Sequence, residues 1–167
     1  MPDKLAMIKR IAAEHQGIKG HIKLVGDTVA DQEALNALEQ LRIDWIPGQL
    51  SIINERRNKL EQVINLLDEG LTNHFAFEEE VLPEILGNLF TDALILDHNE
   101  IRKEINEAKS LIVKDGLEGL NREDLLAREA DIQQVINGIC GLIEEHAGRE
   151  EVILEMVQRT LKEQNED

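Results

Sequence analysis

Tyrosine is missing from this 167-residue chain, and aromatics amount to 2%: Trp45, Phe75, Phe77 and Phe90. Strands favour aromatic and β-branched side chains, whereas Leu, Ile, Glu, Ala, Lys and Gln dominate here and favour helix. A sheet is excluded as the organising element, and so is any protein tyrosyl radical. The single cysteine, Cys140, rules out an internal disulfide and agrees with a reducing compartment. No apolar run approaches the ~20 residues of a membrane span. The opening MPDKLAMIKR lacks the apolar core and cleavage signal of a secretory leader. Bases are also scarce: 18 Lys and Arg against 34 Asp and Glu give a formal charge of −16. Such a surface repels phosphate backbones and anionic lipid, which argues against nucleic-acid and membrane partners. The expectation is one cytoplasmic domain spanning 1–167.

Helical periodicity is plentiful. Apolar positions recur every three or four residues in four stretches, interrupted by a few polar residues on the same face. The first runs Ile8, Ile11, His15, Ile18, Ile22, Val25 and fades near Gly26. Residues 31–41 allow a short extra helix before Pro47-Gly48. The second long stretch runs Leu60, Ile64, Leu67, Leu71, His74, Glu78, Val81, with Pro83 and Gly87 expected to stop it. The third runs Leu94, His98, Ile101, Ile105, Ala108, Ile112 toward a C-terminal cap at Gly116. Asn121 is placed to cap the fourth, whose stripe reads Ile132, Val135, Ile139, Leu142, His146, Glu150, Ile153, Val157. Short connections between such helices predict an all-α, antiparallel up-down-up-down four-helix bundle.

The interruptions carry the chemistry. His15, His74, Glu78, His98, His146 and Glu150 all fall on core-facing stripes. A buried carboxylate without partners costs several kcal/mol, so polar groups from all four helices need a shared reason to be there. His74 and Glu78 stand four apart, as do His146 and Glu150, which places each pair about one turn apart on one face. An internal repeat relates the halves. EHQGIKGHI (14–22) matches DHNEIRKEI (97–105), and HFAFEE (74–79) matches HAGREE (146–151). Two related helical hairpins about a pseudo-twofold axis follow, each contributing one His and one H-x-x-x-E to a two-metal site. Mixed nitrogen and oxygen donors suit iron or manganese, with zinc also open. Glu78 and Glu150 are the natural bridges, and each histidine takes an ion by one ring nitrogen.

The order H … H-x-x-x-E … H … H-x-x-x-E, carried by His15, His74, Glu78, His98, His146 and Glu150, resembles the haemerythrin-like, or HHE cation-binding, domain family. The resemblance implies a four-helix bundle around a non-haem di-iron centre with oxo or hydroxo bridges. Members of that family variously bind dioxygen, sense oxygen or iron, respond to nitric oxide, act on peroxide or repair iron centres. The chain departs from the oxygen carriers in two places. Arg102 stands where they carry a second histidine one turn after the third-helix histidine, and Glu150 lies four rather than five residues after His146. Both departures count against reversible oxygen carriage.

Other polar residues read differently. His21, six residues after His15, is the alternative to it and otherwise an edge or surface histidine. Glu79, Glu151, Glu144 and Glu145 are expected to be solvated. Glu14 and Asp97 adjoin histidines but cannot share their face, so nothing in the spacing says what holds each outer ring nitrogen. Phe75 and Phe77 either wall the site or simply pack. Gly17, Gly20, Gly138, Gly141 and Gly148 suggest close helix approach or room for a small ligand. A ferritin-like E-x-x-H is absent, since Ala12, Ile18, Leu71, Ile95 and Ile143 precede the histidines by three. So are H-E-x-x-H and a G-x-x-x-x-G-K phosphate loop. Three roles stay open: binding or sensing of a small diatomic or peroxide ligand, a di-iron oxidase or peroxidase-type enzyme, and iron holding without turnover. The stripes name no general base and no protein partner.

Overall fold

The computed structural model describes residues 3–113 and 120–165, which form helices with no strand among them. In chain order these are α1 (Lys4–Val29), α2 (Gln32–Ile43), α3 (Pro47–Leu86), α4 (Asn88–Val113) and α5 (Arg122–Gln164). Short polar side chains start three of them. Asp3 accepts from the Leu5 N–H, Asp31 from those of Glu33 and Ala34, and Asn121 from that of Asp124. α3 begins on Pro47, where a missing N–H costs nothing.

Pro83 does not stop α3, contrary to the sequence expectation. In the last turn a proline removes one ladder donor only, and the helix runs on to Leu86. The stop is Gly87, whose φ of 84° suits a residue without a side chain and whose N–H returns to the Pro83 carbonyl at 3.1 Å. Gly116, expected to end the fourth helix of the chain, lies outside the described residues.

α1 packs on α3 and α5, α4 packs on the same two, and α2 lies against α3 and α5. The stripes of α1, α3 and α4 are buried as the periodicity predicts. On α5 the expected stripe is partly wrong. Ile136, Ile143 and Leu154 are buried, whereas Val135, Leu142, Ile153 and Val157 are only half-buried. Adjacent apolar pairs such as 135/136 and 142/143 leave the phase ambiguous, and packing selects the second of each.

The core has two main parts. One joins Ile18 to Val29 of α1 with Leu60 to Phe75 of α3, Ile101 to Ile112 of α4 and Ile132 to Ile143 of α5. The other joins Ile8, Ile11, Val81, Leu82, Leu94 and Leu154. His15, Glu78, His98, His146 and Glu150 lie in sequence between these two parts, and His74 sits beside Phe75 at the edge of the first. They form a polar layer between two apolar ones. A further small cluster, Ala37, Leu41, Ile53 and Leu125, seats α2.

Candidate metal centre

His15, His74, Glu78, His98, His146 and Glu150 meet inside the bundle, none more than 3% exposed. Glu78 is the hub. Its Oε1 lies 2.6 Å from His74 Nε2 and 3.3 Å from His15 Nε2, and its Oε2 lies 3.2 Å from His98 Nε2. Glu150 Oε2 lies 3.5 Å from His146 Nε2 and 3.8 Å from His15 Nε2. Two donor sets with mutually close ligand atoms result: His15, His74 and Glu78, and Glu78, His98, His146 and Glu150. Glu78 belongs to both.

Each of these four histidines turns Nε2 inward and Nδ1 outward toward a carboxylate of the neighbouring helix, which hydrogen-bonds Nδ1 of His74, His98 and His146 but leaves His15 Nδ1 without a hydrogen-bond partner. Glu14 of α1 lies 2.7 Å from His74 Nδ1, Glu79 of α3 2.9 Å from His98 Nδ1, Asp97 of α4 3.2 Å from His146 Nδ1, and Glu151 of α5 3.4 Å from His15 Nδ1. The ring closes from α1 to α3 to α4 to α5 and back to α1. A carboxylate on Nδ1 favours an N–H there, so Nε2 is the nitrogen that can ligate a metal once the proton it shares with the inner carboxylates is lost. Bases hold the carboxylates in turn: Arg10 on Glu14 at 2.8 Å, Arg102 on Glu79 at 3.0 Å, Arg149 on Asp97 and Lys19 on Glu151 both at 2.9 Å.

This outer ring corrects the expectation that Glu79 and Glu151 are solvated, and it gives Glu14 and Asp97 a task the spacing did not reveal. The signal was in the repeat. Both halves place an acid immediately before one histidine and immediately after one ligand-type glutamate. Read on its own helix, such an acid points away from the site; read across to the next helix, it meets a histidine. His21 stands apart from both donor sets. Its ring lies against Gly70, where a Cβ would come within 3.3 Å of Nδ1. Phe75 is a wall: it is fully buried and stacks on His98 at 3.9 Å between ring centroids. Phe77 instead packs under the Arg10 guanidinium, 3.6 Å from its centroid. The helix glycines do not mark close approach, since a Cβ at Gly17, Gly20, Gly138, Gly141 or Gly148 would meet nothing within 4 Å. Cys140 is half-buried and alone, its thiol pushed up to about 11 by burial and then by Glu144.

The electrostatics calls for a cation. Burial opposes a charged Glu78, but contacts with His15, His74 and His98 outweigh it and hold the carboxyl far below its usual range. Glu150 moves the other way, because burial and then the Glu78 carboxylate beside it push its carboxyl far above the usual range. Without a positive ion between them, the two cannot both stay ionised. Burial disfavours a charged His74, yet Glu78 and Glu14 together raise it. Burial, with His98 adding to it, lowers His146 against the opposing pull of Asp97. His98 Nε2, His146 Nε2, Glu78 Oε2 and both Glu150 oxygens are buried without a hydrogen-bond partner. Orphans of this kind are costly in an apolar interior, and a bound cation satisfies all of them at once.

A family model described as the hemerythrin HHE cation binding domain matches residues 6–157. The chain belongs to that family. No curated protein and no solved structure matches it. Cation binding is thus the family's property, and the buried His and Glu clusters of this member fit it. The outer ring should matter to it as well. Glu14→Ala removes the partner of His74 Nδ1 and is expected to weaken metal binding about 10–100-fold. Competitive titration against a chelating dye measures this, and an affinity within a factor of two of the parent would show that Glu14 does not position His74.

Proposed function

We propose that this protein carries a non-haem di-iron centre that binds or senses a small oxidant or diatomic ligand: dioxygen, nitric oxide or peroxide. His15 and His74 would hold one ion, His98 and His146 the other, with Glu78 and Glu150 bridging. The observation that carries the reading is the convergence of all four Nε2 atoms on two buried carboxylates whose remaining oxygens have no partner. Manganese or zinc would fit the same donors. Six side chains leave coordination positions unfilled on two ions, and an iron pair there would supply redox-active sites for a small molecule.

The residues divide the labour. Glu78, held anionic by three imidazoles, fixes the spacing of the donor sets. Glu150, whose carboxyl is pushed up by burial and by Glu78, would hold an ion as its carboxylate. The outer carboxylates fix the tautomer and tilt of the His74, His98 and His146 rings, and Phe75 excludes water beside His98. No side chain in the layer is left over as a separate acid or base, which favours binding or sensing over turnover. In this reading 1–167 forms one domain with up-down-up-down topology, which is supported by the core part that joins the beginnings of α1 and α4 to the ends of α3 and α5. We place it in the cytoplasm, without nucleic-acid or membrane partners, in keeping with the −16 charge and with described helices none of which is long and apolar enough to cross a membrane.

Metal analysis of protein purified without added metal, paired with visible spectra under dioxygen, peroxide and nitric oxide, tests the proposal. Two irons per chain with reversible adduct bands are expected; sustained peroxide loss would favour the enzyme instead. Glu78→Ala is expected to lower the stoichiometry below two and to remove the coupled iron spectrum. Two ions with parental spectra in both Glu78→Ala and Glu150→Ala would remove the bridging assignment.

A further inference from the structure

The pseudo-twofold repeat is broken beside the metal layer. Aligning HFAFEE with HAGREE pairs His74 with His146 and Glu78 with Glu150, but Phe75 with Ala147. Phe75 stacks on His98, its ring 3.9 Å away and 10° from parallel. Arg102 lies behind it, 5.2 Å from the ring centroid and bonded to Glu79. The corresponding side chain of the other half is a methyl group, so His15 gains no such cover, and its ring contact is the edge of His74 at 4.8 Å. Its hold from outside is looser too: Glu151 stands 3.4 Å from His15 Nδ1, against 2.9 Å for Glu79 on His98. A cleft of about 140 Å³ between α1 and α5, lined by Ile8, Ala12, Leu154, Glu151 and Glu155, ends on His15.

We propose that small-molecule exchange at the centre runs by the His15 edge: the α1–α5 cleft leads a small uncharged molecule there, while Phe75 seals the His98 edge and Glu14, 2.7 Å from His74 Nδ1, closes the larger α1–α3 groove that reaches His74. The inference rests on the ligand-binding reading above and names the half of the centre at which exchange occurs. Chemistry at the mouth selects the visitor. Ile8, Ala12 and Leu154 are apolar, Glu151 and Glu155 flank them, and the −16 charge of the chain repels small anions. A neutral diatomic such as nitric oxide or dioxygen passes; a carboxylate or phosphate is turned away.

The test combines two measurements. In the metal-free chain, deuterium exchange at the imidazole C2 position, read for each histidine by mass spectrometry, is expected to be several-fold faster for His15 than for His98. Ala12→Phe narrows the cleft from an exposed position, so it should slow His15 and leave His98 alone. Phe75→Leu should speed His98. In the iron-loaded chain, Ala12→Phe is expected to slow nitric oxide association about tenfold, within the range over which association rates differ among variants of one site, at unchanged iron content. Gly17→Leu, in the α1–α3 groove that reaches His74 and where a Cβ meets nothing, should change neither reading, because Glu14 closes that route. Equal exchange of His15 and His98 in the parent overturns the proposal. So does an Ala12→Phe variant with parental exchange and association, or slowing by Gly17→Leu instead. A parent that loads no iron overturns the di-iron reading, and the exchange rates of the metal-free chain then still decide the cleft.

Discussion

Removing the metal with a chelator is expected to lower the melting temperature by on the order of 10–20 °C. An ion bound only by the folded chain stabilises it by about 2.7 kcal/mol when its free concentration is a hundred times Kd. Two such ions contribute about 5 kcal/mol, and a chain of this length shifts by ~2–4 °C per kcal/mol. The metal-free state should nonetheless stay folded, since apolar layers lie on both sides of the centre. Its stability should fall as pH rises from about 5.5 to 8, because His74 and Glu150 both have folded pKa values above their ordinary ones and together outweigh His146, which is lowered and acts the other way. Stabilisation from such groups is fully present below the unfolded value and is lost as pH rises toward the folded one. Glu78, shifted downward, contributes constantly across that window and loses its contribution only in acid. Metal uptake runs the opposite way, since it displaces protons from Glu150 and His74 and tightens with pH. The gap between loaded and stripped melting temperatures should therefore widen from pH 5.5 to 8. Calorimetric scans of both forms across that range measure it. Coincident melts after verified metal removal would mean that the polar layer does not bind a stabilising ion.

The convergence of the six His and Glu side chains was legible in the sequence because their spacing is a helical property. An i, i+4 pair of His and Glu on an apolar stripe has one geometry, and two such stripes with two that carry a single His can meet only in the middle of a bundle. The outer ring was not legible by the same logic. Glu14 reaches His74 across sixty positions, and Asp97 reaches His146 across forty-nine. Helix periodicity says which face an acid occupies but not which neighbouring helix passes that face; packing order supplies this. The α5 phase was lost for a related reason. Where 135/136 and 142/143 are all apolar, periodicity admits two stripes a residue apart, and only the facing helices choose between them. Pro83 misled because propensity averages over helix positions, whereas a proline four residues before a glycine cap is cheap.

A second polar cluster escaped the sequence reading altogether, and breaking it carries the other large effect. Glu129 of α5 is 3% exposed and faces two arginines of α3 that are almost as deeply buried, Arg56 at 5% and Arg57 at 6%. Arg56 Nη2 donates to Glu129 Oε2 and Arg57 Nη2 donates to Oε1 at 2.8 Å. Arg56 Nη1 also donates at 3.2 Å to the Val29 carbonyl, one of the acceptors that the end of α1 leaves without an intrahelical partner. The sequence hides this because Arg56-Arg57 reads as a solvated pair, and Glu129 as one acid among thirty-four. Glu129→Ala takes the buried carboxylate away from the Arg56 guanidinium, which is held from water, and is expected to cost about 3–5 kcal/mol. The metal layer should not notice. His146 lies seventeen residues farther along the same helix, about 25 Å away at 1.5 Å per residue. Iron content and spectra should thus stay parental while the denaturant midpoint drops. Replacing Arg56 and Glu129 together with apolar residues of similar volume should recover most of the loss, because the penalty lies in the buried Arg56 charge and not in the missing bond. A Glu129→Ala protein within about 1 kcal/mol of the parent would show that water reaches the arginines, and the cluster would then be a surface feature that merely closes over in the folded chain.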